Sequence, residues 1–164
     1  MEDKLTILME SLPKAMLQAL NPETKNAVPQ ALLRGDLLVI SRFPYKIGRE
    51  SRVVRIDGRL ERIERHKKDD SQPNNDLYLM DRGQRLNISR EHFQIEKNDD
   101  GYLLVDRGSA CGTKVEGVNV GGDDTGGAMQ LQDGDVIAVG AIGTPYLFRF
   151  ITFDEYSLIR RDRQ

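Results

Sequence analysis

The stretch from Leu86 to Gly117 restricts the fold of this chain more than any other. His92 to Glu96 alternates apolar and polar residues, Lys97-Asn98-Asp99-Asp100-Gly101 has turn composition, and Tyr102 to Asp106 resumes a strand pattern. A period of two sends successive side chains to opposite faces, so the segment reads as an antiparallel strand pair with one face buried. Loops of small, hydroxyl and glycine residues flank the pair. One is Asn87-Ile88-Ser89-Arg90-Glu91, the other Arg107-Gly108-Ser109-Ala110-Cys111-Gly112. Earlier, Tyr45-Lys46-Ile47-Gly48-Arg49-Glu50-Ser51 supplies a third loop, opened by an arginine. A guanidinium, several hydroxyls and freely turning backbone amides suit the grip of an oxyanion, phosphate above all.

The remainder of the chain repeats the strand signal. Ala31-Leu32-Leu33 and Leu37 to Ile40 flank the polar turn Arg34-Gly35-Asp36, and Val53 to Ile63 alternates around Asp57-Gly58, a strong local hairpin signal. Leu77 to Met80, Val115 to Val120, Met129 to Leu131, Val136 to Val139 and Tyr146 to Ile151 read as further short strands, with a glycine-rich loop from Gly121 to Gly127. Many short strands at regular spacing predict a two-sheet antiparallel β-sandwich. Ahead of them, Leu5, Leu8, Leu12, Met16 and Leu20 recur at helical spacing. Pro13 predicts a break near Ser11 and a second short helix from Pro13 to Leu20. This extension either packs on the sandwich or serves as a docking or dimerising arm. Asn21-Pro22-Glu23 reads as a stop and turn. The expected organisation is a helical extension over 1–25, a sandwich over 26–152 with an inserted hairpin and loop at about 53–76, and a charged tail over 153–164, helical or disordered.

The order Gly48-Arg49, then Ser89-Arg90-x-His92, then Gly112-Thr113, within an all-strand pattern, resembles the forkhead-associated (FHA) domain from about Ala27 to Thr152. The resemblance implies an all-β sandwich of the FHA/SMAD-like kind whose loops at one end bind a phosphothreonine peptide. It makes Arg49 the principal phosphate ligand, Ser89 a hydroxyl donor and Arg90 a second cation. His92 ties the loops together, with Gly48 supporting the bend before the arginine. Gly112 and Thr113 match the family's pair on the peptide-binding loop. Cys111 replaces the asparagine that usually holds the peptide backbone, and a thiol is a weak donor and acceptor. A partner that binds the same scaffold without phosphate is the leading rival reading. The implied partner is a threonine-phosphorylated protein, with additional contacts through the 53–76 insertion or the N-terminal helix; that insertion also reads as a solvated excursion with no role.

Other chemistries find less in the sequence. Arg49 has an ordinary alternative in a surface salt bridge with Glu50, and Ser89 in capping its own turn. His66 is the only other histidine, so no zinc cluster is expected, and no metal or cofactor is assigned. Cys111 with His92 is the one conceivable nucleophile and base pair, without an evident orienting group, so an enzyme is not expected. The Gly108 to Lys114 run lacks the Gly-Lys-Ser/Thr of a nucleotide loop, and Gly121 to Gly127 lacks the spaced carboxylates of a calcium loop. With 24 basic and 26 acidic residues interspersed, bulk electrostatics does not favour nucleic acid. The absence of a long apolar run argues against a membrane span. One cysteine and an N-terminus without a basic, then apolar, leader predict a cytoplasmic protein.

Overall fold

A computed structural model describes residues 3–50, 53–62 and 73–161. Helix α1 spans Lys4–Ser11, followed by strand β1 (Ala15–Ala19), helix α2 (Pro22–Ala27) and a 3-10 turn at Gln30–Leu32. Next come β2 (Leu33–Arg34), β3 (Leu37–Ile40), β4 (Tyr45–Arg49), β5 (Val53–Ile56), β6 (Arg59–Arg62) and β7 (Leu77–Leu79). The remaining strands are β8 (Phe93–Asn98), β9 (Gly101–Asp106), β10 (Thr113–Val115), β11 (Val118–Val120), β12 (Gly127–Leu131), β13 (Val136–Val139) and β14 (Leu147–Thr152).

Two sheets form the sandwich. One has the order β11-β10-β13-β14-β1-β3-β2 and the other β12-β9-β8-β4-β7, while β5 and β6, among the described residues, pair with each other alone. Between the layers lie Leu17, Ile40, Phe148 and Phe150 from the first sheet and Ile47, Leu79, Phe93, Ile95 and Leu104 from the second, all essentially inaccessible. Each such side chain contributes about 1.5–3 kcal/mol through burial. The anticipated meander is present, with Phe93 opposite Asp106 and Asn98 opposite Gly101.

The N-terminal segment differs from expectation. The helix ends at Ser11, where Pro13 predicts a break, and Leu12, directly before Pro13, is extended, as the residue before a proline prefers. Residues 15–19, however, form a strand rather than a second helix, paired with β14 on one side and β3 on the other. Ala15, Leu17 and Ala19 are buried while Met16 and Gln18 face outward, so a period of two governs where leucine spacing suggests 3.6. Pairing of the β1 backbone with strands on both sides outweighs a short helical pattern. A domain boundary at 26 therefore divides the larger sheet. Asn21-Pro22-Glu23 opens α2 instead of only stopping the chain. The Asn21 side-chain oxygen Oδ1 accepts from the Thr24 N–H at 2.7 Å and so caps the helix, and Pro22 occupies the first turn.

One strand pair also departs from an antiparallel scheme. Strand β7 runs parallel to β4, with Ile47 beside Leu77 and Arg49 beside Leu79. Parallel neighbours need a connection of a dozen or more residues. The 53–76 excursion supplies that connection, and the Asp57-Gly58 hairpin forms within it with both turn residues at positive φ, 50° and 79°. Of the loop expected after this hairpin, residues 63–72 lie outside the described residues; at its end Asp76 pairs with the Lys46 backbone, its carboxylate accepting from the Lys46 N–H at 2.9 Å. Val115 to Val120 is a hairpin, not one strand. Glu116 and Gly117 at φ 49° and 79° make a tight two-residue turn between β10 and β11. From Phe153 to Arg161 no helix or strand forms; Asp154 accepts a hydrogen bond from the Tyr102 hydroxyl at 3.1 Å. Among the described residues no helix is long and apolar enough to cross a membrane.

Candidate functional site

Arg49 ends β4, and the chain direction of the second sheet brings three connections to this end. They are the segment after β4, the loop from Met80 to His92 between β7 and β8, and the loop from Arg107 to Gly112 between β9 and β10. The two longer loops are each wound on a carboxylate.

The Met80–His92 loop is wound on the Asp81 carboxylate. One oxygen accepts from the N–H groups of Asn87 (2.6 Å) and Ile88 (2.9 Å), the other from Gly83 N–H (3.2 Å) and the Tyr146 hydroxyl (2.8 Å). Burial, followed by the bond to Asp81, pushes the Tyr146 phenol up to about 12. Ile88 is buried and anchors the turn that presents Ser89. The Arg107–Gly112 loop is wound on Asp106, 4% exposed. Its carboxylate accepts from Gly108 N–H (3.1 Å), Ser109 N–H (2.8 Å), the Ser109 hydroxyl (2.6 Å) and the Thr113 hydroxyl (3.0 Å). Gly112 N–H returns to Ser109 Oγ at 3.0 Å, which closes the loop on itself.

His92 joins the two loops. Ser89 N–H donates to Nδ1 at 2.9 Å, so Nδ1 acts as acceptor and Nε2 carries the hydrogen that it donates to the Gly112 carbonyl at 2.9 Å. The ring is wholly buried. Ser89 Oγ accepts from Ala110 N–H at 3.0 Å, which brings the two loops together a second time and leaves the hydroxyl proton to be donated elsewhere. Arg49 is half-buried and locked to the same structure. Its N–H donates to the Ser89 carbonyl and its Nε–H to the Ile88 carbonyl, both at 2.9 Å. The guanidinium is therefore oriented beside Ser89 before any ligand arrives. Arg90 is half-buried, and among the described residues its side chain makes no hydrogen bond or ion pair.

Gly48 has a different role from the one its position in the sequence suggests. A methyl group there would stand 2.1 Å from the Arg90 carbonyl oxygen and under 3 Å from the Asn75 amide, so the glycine permits close approach rather than a bend. Gly112, at φ 77°, does require the left-handed region, and a methyl group there would sit 3.1 Å from the Gly121 carbonyl oxygen. Thr113 is 1% exposed with its hydroxyl on Asp106, so its side chain holds the loop and is not presented to a ligand. Cys111 is half-buried at the loop tip, its Sγ 3.6 Å from the Leu86 carbonyl. Both nitrogens of His92 are committed to backbone groups, so the thiol and imidazole are not arranged as nucleophile and base.

Arg49, Ser89, Arg90 and Cys111 thus lie on loops that meet, with His92 behind them. Sequence reasoning overlooked Asp81, Asp106, Ser109, Asn75 and Arg107. The Asp106-x-x-Ser109 spacing, typical of a carboxylate folding its own turn, was a readable signal. Nothing local marks Asn75 or Arg107.

A two-layer β-sandwich with a preassembled arginine and serine site at one end defines a loop-presenting binding module. This chain belongs to the FHA family: the FHA domain family model matches residues 45–140. No curated protein matches the sequence. Among solved structures, it is similar to Mycobacterium tuberculosis EmbR in complex with a low affinity phosphopeptide, with 19% identity and a TM-score of 0.49 over 90% of this chain and 28% of EmbR. The chain thus spans little more than a quarter of that protein. It is also similar to the N-terminal FHA domain of S. cerevisiae Rad53p in complex with a phosphothreonine peptide, with 18% identity and a TM-score of 0.48 over 86% of this chain and 94% of that one. An FHA domain of an Arabidopsis thaliana hypothetical protein shares 23% identity at a TM-score of 0.46, covering 89% of this chain and 91% of its own.

Proposed function

We propose that this chain is a cytoplasmic, non-enzymatic module that reads phosphothreonine on a partner protein. The observation that carries the reading is the locked pairing of Arg49 with the Ser89 loop, through its backbone N–H and its Nε–H. A planar guanidinium held in advance matches phosphate geometry and loses little freedom on binding. Phosphate brings about −1.5 to −2 charges near neutral pH, and each hydrogen bond to a charged group contributes about 1.5–3 kcal/mol. Two or three such bonds from Arg49, Ser89 and loop amides discriminate phosphorylated from bare peptide by orders of magnitude. Arg90 supplies a second cation at the rim, and the Cys111 loop contacts the peptide backbone.

The test is a phosphothreonine peptide library, with the best peptide titrated in phosphorylated and bare forms. Arg49→Ala is expected to abolish phosphopeptide binding and to cost about 1 kcal/mol of stability through the lost bond to the Ile88 carbonyl. Equal affinity of wild type for both forms would instead favour a partner bound without phosphate. Undiminished binding by a folded Arg49→Ala protein would remove the arginine from the site.

A further inference from the structure

The strand-to-loop junction at Gly48 is crossed by a polar joint that the family motif does not contain. Arg107, the first residue after β9, donates from Nη1 to the Asn75 side-chain oxygen at 2.6 Å and from Nη2 to the Asn74 carbonyl at 2.9 Å and Glu91 Oε1 at 2.8 Å. Asn75 uses its amide hydrogen to donate to the Arg90 carbonyl at 2.7 Å. The backbone N–H of Arg107 donates to the His92 carbonyl at 2.8 Å. Arg107 therefore ties together the end of the long excursion, the serine loop at Glu91 and, through Asn75, at the Arg90 carbonyl, and the start of the glycine loop. Asn74 and Asn75 are 7% and 6% exposed, and the side chains of Arg107 and Glu91 are only 12% and 20% exposed. Burial lowers the Arg107 pKa from the usual arginine range, and Glu91 and Asp76 counter that shift.

Charged groups are withdrawn from water here for a geometric return. Solvent alone could satisfy Glu91 and Arg107 at less desolvation cost. What the joint adds is position. Gly48 leaves no room for a Cβ, the Arg90 carbonyl fills that space, and Asn75 holds the carbonyl there. Arg49 follows Gly48 and Ser89 precedes Arg90, so the joint sets the separation of the guanidinium and the hydroxyl.

We infer that Asn75 and Arg107 are positioning residues that set the affinity of the Arg49 and Ser89 site, making the returning end of the 53–76 excursion a working part of that site. This rests on the phosphopeptide reading for its functional consequence, though not for its structural one.

Asn75→Asp is the discriminating substitution. A carboxylate keeps the shape and still accepts from Arg107, but it cannot donate to the Arg90 carbonyl and places negative charge against it. Amide hydrogen exchange in the free protein reads loop position directly, through Arg49 N–H, which donates to the Ser89 carbonyl, and Ala110 N–H, which donates to Ser89 Oγ. Both amides are expected to exchange faster in Asn75→Asp while β8 and β9 amides keep their protection. Affinity for the best library phosphothreonine peptide should fall about tenfold, the scale of a hydrogen bond to a buried carbonyl left unmade. Arg107→Lys, whose single ammonium cannot span three acceptors, should do the same. In a double-mutant cycle, Ser89→Ala should cost less affinity in the Asn75→Asp background than in wild type, because the hydroxyl has already moved. A merely structural role would leave the two changes additive. Unchanged exchange at Arg49 and Ala110 in a folded Asn75→Asp protein, or additive losses, would overturn the inference. If wild type binds no phosphothreonine peptide, the phosphopeptide reading fails, and the exchange measurement still decides the joint.

Discussion

At the scale of single residues, Cys111 and His92 illustrate opposite constraints. Cys111 occupies the tip of the glycine loop, and among the described residues its thiol makes one polar contact, a weak one to the Leu86 carbonyl at 3.6 Å. Asparagine there would supply both a carbonyl and an amide to an incoming peptide backbone. Cys111→Asn is expected to tighten phosphopeptide binding by about 0.5–1.5 kcal/mol, the net scale of one neutral hydrogen bond. Titration of one phosphopeptide into both proteins checks this, and weaker binding by the asparagine variant would refute it. His92 cannot be exchanged so freely. Its removal leaves the Ser89 N–H without its acceptor, whereas the Gly112 carbonyl keeps a bond from Gly140 N–H at 3.0 Å. We expect His92→Ala to lose about 1–3 kcal/mol of stability as well as affinity. A denaturant midpoint equal to that of wild type would contradict the joining role.

Among the elements, α1 and β1 are adjacent in sequence and opposite in consequence. No residue of α1 is buried, and Leu5, Ile7, Leu8 and Met9 are between 47% and 61% exposed. Deleting residues 1–12 should therefore shift the thermal midpoint by no more than about 2 °C, as expected for surface changes of about 0.5 kcal/mol or less. Extending the deletion through β1 removes Leu17 and the hydrogen-bonding partners of both β14 and β3. That protein is expected not to fold. Thermal melts of the two truncations make the comparison, and similar midpoints would show that β1 is dispensable to the sheet. The glycine loop follows the same logic on a smaller scale, since Asp106 gathers four donors whose satisfaction defines its path.

For the whole molecule, two buried phenols link stability to alkaline pH. Tyr45, where burial comes first and the nearby Asp76 second, and Tyr146, where burial and Asp81 act, are each pushed up to about 12. An unfolded chain ionises its tyrosines near 10. Between those values the unfolded state releases protons that the folded state retains, so stability present below pH 10 declines as pH rises toward 12. Tyr146→Phe should flatten that decline, at a modest cost at neutral pH from the lost bond to Asp81. Thermal midpoints measured across this range, with tyrosinate absorbance followed in parallel, provide the check. Equal slopes in both proteins would exclude Tyr146 as a source of the dependence.

What the sequence determined by itself is what short-range chemistry can encode. Alternation marks the β8–β9 pair, Asp57-Gly58 marks a hairpin because aspartate and glycine tolerate positive φ, and Pro13 stops α1. The order of Gly48-Arg49, Ser89-Arg90-x-His92 and Gly112-Thr113 suffices to name the family, and most of the loop residues it nominates do meet. Tertiary structure decided the rest, because those outcomes depend on partners distant in sequence. Residues 15–19 became a strand when β14 supplied one neighbour and β3 the other. Asn75, assigned by composition to a solvated loop, became buried because Arg107 reaches it across 32 positions. Thr113, nominated as a contact, turned inward to a carboxylate seven residues before it. Gly48 likewise owes its necessity to the Arg90 carbonyl, a backbone group whose approach no local pattern records. A buried polar group must find its partner wherever the fold provides one, and only the folded chain specifies where that is.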